Sequence, residues 1–510
     1  MSPNLKMKRF LFIPLLMAIL SSCHNSWTEN SKEGASVTYH MTDKTDKICE
    51  VGTGNPEVPA IDPNYQGTVT LPTSSDDYLV EAIGEGAFRG CKKLQEVVIP
   101  PTVTSIEKGA FEGCEQLRSM VIPSRVAHIA DGIFRGCKNL QSVTIRCRMN
   151  RIADHMFYDC QKMIRVDFPK GVTAIGDYAF YGCNSLTEVV IPKGVTTIGI
   201  EAFQDCRNLT SVTSPEGVTA IGEGAFSGCA NLQSIHIPAS VKSIGQTAFS
   251  GCTGLTSITV DPANPVYDSR NACDALIEKE SNTLLVGCRK SKLPSTLTAI
   301  ADWAFYGVDG LTSVSFPKGM LSIGERAFAN CHDLRSVYFP SSLTSIGECP
   351  FAGCPSLTSI SIHSENPIYD SHHDCNAIIE TLTNTLLYGC KNSTIPPVVK
   401  KIGKGAFAGC RGLTSIRLHE GIISIGEDAF RDCPDLKNVA IPSTMTQIGE
   451  NAFKGCRQLS VVEVRARKPL TIFDNTFSDC GAPKLFVPKG ARRQYESAGY
   501  WSDFSSIEEH

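Results

Sequence analysis

The 510-residue chain is 42% hydrophobic, 20% charged and 8% aromatic, which makes it too apolar for a largely disordered protein. Its 48 Lys and Arg residues nearly balance its 52 Asp and Glu residues, giving a formal net charge of −4. This balance argues against a nucleic-acid or anionic-membrane partner, because phosphate binding requires clustered positive charge. The 22 cysteines and 42 glycines are unusual in a chain of this length and call for a structural explanation.

Residues 1–22 are predicted to be a lipoprotein signal peptide. A basic start precedes an apolar run, residues 10–20, that is too short to span a membrane as a stable helix. Two serines and Cys23 follow, an arrangement that resembles the lipobox of bacterial lipoproteins, in which the cysteine is acylated. The alternative is an ordinary signal peptide with an incidental cysteine, and either Met1 or Met7 is a plausible start of translation. The lipid would be the protein's only membrane contact, on an outer membrane, at the cell surface or on the periplasmic face.

The next segments are predicted to be a stalk and a cap. Residues 23–47 are mainly polar, which is typical of a flexible stalk behind the lipidated cysteine. Residues 48–77 are expected to form an N-terminal β cap. Within these segments, residues 36–40 and 67–72 have the pattern of strands that cover a first coil.

One repeat accounts for most of residues 78–480. A Phe recurs every 23 residues, with two gaps of 56 residues and a last Phe that comes one residue late. The positions are Phe88, Phe111, Phe134, Phe157, Phe180, Phe203, Phe226, Phe249, Phe305, Phe328, Phe351, Phe407, Phe430, Phe453 and Phe477. A unit this short cannot bury its apolar residues alone, so the units must stack into a solenoid.

The pattern within one unit predicts a strand and a return leg. Leu232-x-x-Ile235-x-Ile237 alternates apolar and polar residues, as a strand with one buried face does, and Pro238 ends the strand. The return leg around Phe249 is predicted to be a short helical turn with its Phe pointing inward. The predicted fold class is therefore an α/β repeat solenoid with a β-sheet face.

Fourteen cysteines stand three residues after a repeat Phe, and only the Phe305 unit has another residue there, Val308. A valine at this place indicates a small apolar filler, so we interpret these cysteines as a buried ladder of free thiols. A metal array and a chain of disulfides are the rival interpretations. Successive thiols that point the same way are poorly placed for disulfide bonds. The cysteines also lack the partner histidines and the C-x-x-C spacing of zinc sites.

The repeat resembles that of BspA-like bacterial surface proteins, a leucine-rich-repeat family whose unit reads approximately I-G-x-x-A-F-x-G-C-x-x-L-x-x-I-x-I-P. The resemblance covers about residues 78–488. It implies a right-handed leucine-rich-repeat solenoid with a β-sheet along one face. It also implies adhesion to host matrix proteins or to other bacteria.

The two gaps hold similar insertions, near residues 261–293 and 363–395, each predicted to contain a β-hairpin. The hairpin register places Cys273 opposite Cys288 and Cys375 opposite Cys390, close enough for disulfides in an oxidising compartment. Packed, reduced thiols are the alternative.

His363, His372, His373 and Asp374 occur together in the second insertion and suggest a metal site. The first insertion lacks these residues, so solvated loop histidines are the preferred interpretation. Residues 481–510 are expected to form a C-terminal cap, because an end coil must be shielded from solvent.

No motif for catalysis, cofactor binding or metal binding stands out, so we expect a non-enzymatic protein with no cofactor. A carboxylate pair contributed by distant coils remains compatible with the sequence. The outward strand positions are mostly Ser and Thr, residues that also simply suit exposed strands. The exceptions form the candidate binding surface: Arg165, Glu188, Tyr338 and Arg417.

The sequence therefore favours a lipid-anchored protein that binds an extracellular protein or a bacterial surface macromolecule, and so acts in adhesion. A structural scaffold, periplasmic or at the surface, is one alternative. A polysaccharide-binding lipoprotein is another, although the sheet face lacks the aromatic platforms on which sugars stack.

Overall fold

The computed structural model describes residues 25–371 and 375–510, in two compact units, residues 1–186 and residues 187–510. Cys23 and the signal peptide lie outside the described residues, as do His372, His373 and Asp374. Each unit is a stack of coils in which strands 23 residues apart pair in parallel. In one such pair, Ile235 lies opposite Ile258.

The first unit begins with a β cap that includes most of the predicted stalk. Its strands are β1 (Ser26–Asn30), β2 (Ser36–Asp43), β3 (Ile48–Val51), β4 (Gly67–Thr70), β5 (Ser74–Ser75) and β6 (Tyr78–Ile83). β1 and β2 are antiparallel, and the Trp27 ring stacks on Tyr39 with 6.0 Å between centroids. The prediction of a stalk over residues 23–47 is thus wrong from residue 26. Val37 and Tyr39 alternate with polar residues and bury one face of the strand.

The coils of the first unit contribute strands to two kinds of sheet. These strands are β7 (Leu94–Val98), β8 (Ser105–Ile106), β9 (Ser119–Ile122), β10 (His128–Ile129), β11 (Ser142–Ile145), β12 (Arg151–Ile152) and β13 (Ala174–Ile175). The longer strands pair as β4–β7 and β9–β11, and the two-residue strands pair as β8–β10 and β12–β13. Most coils therefore contribute one strand to each kind of sheet, whereas the coil of Phe157 has only the two-residue strand.

The second unit continues the same alternation up to the first insertion. Its first strands are β14 (Glu188–Val190), β15 (Thr197–Ile198), β16 (Ser211–Thr213), β17 (Ala220–Ile221), β18 (Ser234–Ile237), β19 (Ser243–Ile244) and β20 (Ser257–Val260). The first insertion supplies β21 (Tyr267–Asp268), β22 (Leu276–Glu278) and β23 (Thr283–Val286).

Coils and the second insertion follow. The strands are β24 (Ala299–Ile300), β25 (Ser313–Ser315), β26 (Ser322–Ile323), β27 (Ser336–Phe339), β28 (Ser345–Ile346) and β29 (Ser359–Ile362), then β30 (Tyr369–Asp370), β31 (Ala377–Glu380) and β32 (Thr385–Gly389). In both insertions the second and third strands pair antiparallel. The third strand also pairs in parallel with the next coil, so it takes the place of a two-residue strand.

The chain ends in coils and a closing segment. The strands are β33 (Lys401–Ile402), β34 (Ser415–Ile416), β35 (Ser424–Ile425), β36 (Asn438–Ile441), β37 (Gln447–Ile448), β38 (Val461–Val464), β39 (Lys484–Val487) and β40 (Ser506–Glu509), with helix α1 (Arg492–Glu496) before β40. Phe504 and Trp501 lie against Phe477, the last repeat Phe, at centroid distances of 5.1 and 6.0 Å. This aromatic group covers the last coil.

The return legs consist of consecutive turns, and no helix is assigned there among the described residues. The predicted helical turns are therefore not confirmed. The reason is the direction of the hydrogen bonds: the N–H of Phe88 donates to the Ala110 carbonyl of the next coil, at 2.7 Å. Bonds between coils alternate with bonds within the coil, such as that from the Arg89 N–H to the Gly86 carbonyl at 2.8 Å, so the consecutive bonds of a helix do not form.

The repeat phenylalanines point inward and stack on one another. In the first unit successive rings from Phe88 to Phe180 lie 5.2 to 5.7 Å apart, within 20° of parallel. The second unit has three shorter stacks, broken at the insertions. Stacked aromatic rings of this kind stabilise a core beyond their buried area.

Candidate functional site

Tyr338 is the most prominent residue of the predicted binding surface. It lies on β27, where Val337 and Phe339 are buried on the opposite face of the strand. Its register neighbours on the adjacent strands are Ser315 and Ser361. The tyrosine is 52% exposed, because small side chains on both sides leave its ring uncovered.

The other predicted surface residues are exposed but lie apart in the structure. Glu188 begins β14 and faces Ser211 of β16, whereas Arg417 directly follows β34. These two residues and Tyr338 thus lie on three different sheets of the second unit. Arg165 belongs to the first unit, outside any strand, and its Nε donates to Asp167 at 2.7 Å. The structure therefore does not gather Glu188, Tyr338 and Arg417 into one site.

Exposed valines are part of this face that the sequence reasoning missed. Val98 and Val121 of the first unit are 42% and 44% exposed, and Val190 of the second unit is 58% exposed. Each occupies an outward position of a longer strand. The signal was present in the sequence, because an apolar residue at an outward position breaks the expected alternation. Exposed apolar side chains on a polar face are typical of contact surfaces.

The cysteine ladder is buried, and its thiols are also hydrogen-bond donors. The Sγ of Cys137 lies 3.1 Å from the Phe111 carbonyl oxygen of the preceding coil, and the same contact recurs along both units. Burial raises the pKa of the Cys252 and Cys354 thiols to about 12. At neutral pH these groups are therefore protonated, which excludes a role as thiolate nucleophiles.

The insertion cysteines do not form the predicted bridges in this structure. Cys273, Cys288 and Cys390 are buried free thiols, and the Cys375 Sγ lies 3.8 Å from the Ala377 carbonyl oxygen. A β-bulge shifts the pairing by one residue before each hairpin reaches its cysteines. This shift removes the directly opposed pairs that the predicted register requires.

The described residues contain no group of three or more His, Cys, Asp or Glu that could hold a metal ion. The Nδ1 of His363 accepts a hydrogen bond from the backbone N–H of Glu365 at 3.2 Å, as a loop residue does. Nor does any helix in residues 25–371 and 375–510 have the length and apolarity to cross a membrane.

Parallel 23-residue coils with an apolar ladder define a leucine-rich-repeat solenoid, a fold of binding and scaffolding proteins that is not an enzyme family. The sequence model described as the BspA type leucine rich repeat region (6 copies) matches residues 67–187, 173–271, 284–385 and 380–498. The chain belongs to this BspA-type leucine-rich-repeat family.

Solved structures of similar proteins include other leucine-rich-repeat chains. A leucine rich cell surface protein of Faecalibacterium prausnitzii is 26% identical, with 94% of this chain and 99% of that one covered and a TM-score of 0.46. A leucine-rich repeat protein of Bacteroides ovatus is 27% identical, with 93% and 98% covered and a TM-score of 0.41. The pneumococcal vaccine antigen PcpA is 18% identical, with 95% and 98% covered and a TM-score of 0.43. A comparison with curated proteins gives no match.

Proposed function

We propose that this protein is a lipid-anchored surface protein that binds an extracellular protein or a bacterial surface macromolecule, and so acts in adhesion. In this proposal Cys23 carries the lipid and the outward sheet face carries the contact. The protein acts by binding, without catalysis or a cofactor. Membership of the BspA-type family and the lipobox-like N-terminal sequence support the proposal.

The observation that carries the proposal is the exposed Tyr338 in the middle of a serine-lined strand surface. Tyrosine is among the residues that contribute most to protein interfaces, because its ring offers a large apolar area and its hydroxyl a hydrogen bond. The outward face otherwise has few such residues, so a single contact would be weak. Many copies on one cell would strengthen attachment through multivalency.

The test compares two serine substitutions in the full mature chain. Tyr338→Ser copies the neighbouring Ser315 and Ser361 and should preserve the fold. It should weaken binding to immobilised matrix proteins or to partner bacteria about tenfold or more. The matched control is Leu321→Ser, a 47% exposed residue that precedes a two-residue strand, and it should leave binding unchanged. Equal binding by the wild type and Tyr338→Ser would contradict the proposal.

A further inference from the structure

The first insertion leaves a cavity at a place that Tyr388 occupies in the second insertion. The cavity measures about 190 Å³ and lies where the stack is interrupted, between the coil of Phe249 and that of Phe305. Gln246, Val286 and Trp303 are among the residues that line it. Since one water needs about 10–15 Å³ of such volume, the cavity has room for about a dozen non-hydrogen atoms.

The corresponding space in the second insertion, 102 residues later, is filled by the protein itself. Tyr388 stands where the first insertion has Val286. Its hydroxyl accepts a hydrogen bond from the Cys349 N–H at 2.9 Å and donates one to the Gly347 carbonyl at 2.6 Å. The cavity beside the Tyr388 ring measures only about 20 Å³. The second insertion also has Gly405 at the place of Trp303.

The open cavity offers both hydrogen-bond donors and acceptors. The Thr247 N–H, which corresponds to the Cys349 N–H, has no hydrogen-bond partner among the described residues. Among the lining residues, the Gln246 Nε2 donates to the Asp302 Oδ2 at 3.2 Å, and Glu278 also lines the cavity. A ligand rich in hydroxyl groups can use such a mixed set, because each hydroxyl both donates and accepts.

Trp303 supplies an aromatic surface at an unfavourable backbone position. Its φ is 61°, in the left-handed region that the coils adopt at this place, with a glycine in some coils, such as Gly405, and a larger residue in others, such as Tyr178. A tryptophan is less favourable there than a glycine, because its Cβ is crowded by the backbone at positive φ. The ring at 303 lines the cavity.

The charges around the cavity favour a neutral ligand. The guanidinium of Arg326 lies 4.9 Å from the Trp303 ring centroid, so a cationic ligand on this ring would meet an existing positive charge. An anionic ligand would meet the carboxylates of Asp302 and Glu278. A neutral ring with an apolar face and several hydroxyl groups avoids both conflicts.

We propose that this cavity binds one neutral sugar residue of a glycan. Trp303 packs against the apolar face of the sugar ring. Gln246, Asp302 and the Thr247 N–H bind its hydroxyl groups. The site is separate from the outward sheet face and goes beyond the proposed function, and it supplies the aromatic platform that the sheet face lacks.

The test titrates the mature protein with the methyl glycosides of glucose, galactose, mannose and N-acetylglucosamine, and follows tryptophan fluorescence and binding heat. The chain has three tryptophans, and Trp501 is buried in the C-terminal cap while Trp27 is packed in the N-terminal one. At least one glycoside should therefore give a saturable change that reports on Trp303. Absence of binding by all four glycosides overturns the proposal. Binding of N-acetyl-lysine methylamide, a mimic of a lysine in a peptide, in place of the glycosides overturns it as well.

The second insertion provides variants that the fold already tolerates. Val286→Tyr copies Tyr388, should fill the cavity, and should weaken glycoside binding about tenfold or more. Trp303→Gly copies Gly405, relieves the backbone strain, and should abolish binding heat while the melting temperature stays the same or rises. Tyr388→Val, the matched control, should leave binding unchanged.

Unchanged glycoside binding by a folded Val286→Tyr protein would overturn the assignment of the sugar site to this cavity. If Val286→Tyr does not fold, unchanged glycoside binding by Trp303→Gly would overturn it. The Tyr338→Ser variant should still bind the glycoside, and Val286→Tyr should still bind the macromolecular partner. The failure of one proposal is therefore distinguishable from the failure of the other.

Discussion

At the scale of single residues, the repeat cysteine has two roles, of which the sequence predicts one. Burial as a small filler follows from the valine at position 308, but the S–H donation to the preceding coil does not. Val308 and Cys410 lack this S–H donation among the described residues, although Cys410 keeps the repeat cysteine. Each belongs to the first coil after an insertion. A local pattern cannot show a partner that stacking brings from 26 residues away.

Because only some repeat thiols donate a hydrogen bond, a cysteine-to-valine substitution should lower stability more at a donating position than at a position without the bond. Cys433→Val removes a donor that lies 3.1 Å from the Phe407 carbonyl oxygen and should lower stability by about 1 kcal/mol. Cys410→Val removes no such bond and should change stability by less than about 0.5 kcal/mol. Thermal unfolding of the two variants measures the contrast. Equal losses would mean that the thiol acts only by filling space.

At the scale of elements, strands are predicted well and turns poorly. The 23-residue period and the alternation at Ile235 and Ile237 determine the longer strands, because one face of each must be buried. The helical turns predicted for the return legs are not confirmed, because alternate N–H groups there bond to the next coil. The prediction of a flexible stalk is wrong because it relies on the polar composition of the segment. The alternation of Val37 and Tyr39 with polar residues indicates a strand instead.

The candidate binding surface and the cavity were also predicted only in part from the sequence. Tyr338 could be predicted to be exposed, and the separation of Glu188, Tyr338 and Arg417 also follows from the repeat, because several 23-residue coils lie between them along the chain. The cavity at Trp303 was missed because it depends on how an insertion interrupts the stack. Only the exchange of Val286 for Tyr388 between the two copies hinted at it.

A buried asparagine anchors the first insertion to the coils. The Asn264 Nδ2 donates to the carbonyls of Pro238 and Val241, and its Oδ1 accepts from the N–H groups of Val266 and Tyr267. Asn366 makes the equivalent bonds in the second insertion. All four hydrogen-bonding sites of the amide are satisfied.

Asn264→Asp should therefore loosen this insertion. A carboxylate in place of the amide turns two donations into repulsion by carbonyl oxygens, at a cost of about 2–4 kcal/mol. The N–H groups of Val266 and Tyr267 should then exchange faster with solvent. The defect should diminish at low pH, because protonation of the introduced carboxylate restores one donor.

The control for this experiment is Asn282→Asp in the same insertion. The Oδ1 of Asn282 accepts from Arg270 Nη1 at 2.8 Å, and a carboxylate can keep that bond. Its effect on exchange should be small. An equally large effect of both substitutions would show that any charge change, and not the lost donors, loosens the insertion.

At the scale of the whole molecule, both ends of the chain's repeat region carry their own cover. The antiparallel strands β1 and β2 belong to the first unit, and Trp501, which is 1% exposed, belongs to the second. Such caps shield end coils and oppose end-to-end association. Fold and family thus follow from the sequence, whereas the lipid at Cys23 and the cellular location rest on a motif outside the described residues.

The central claim is that the solenoid is displayed on the outside of the cell. Its most direct test is to treat intact cells with a large protease and follow the loss of the mature chain, residues 23–510, beside a periplasmic marker. Lysed cells control for resistance of the folded protein to the protease. The proposed function predicts rapid loss from intact cells while the marker survives. Protection in intact cells together with digestion after lysis would contradict it and favour a periplasmic scaffold.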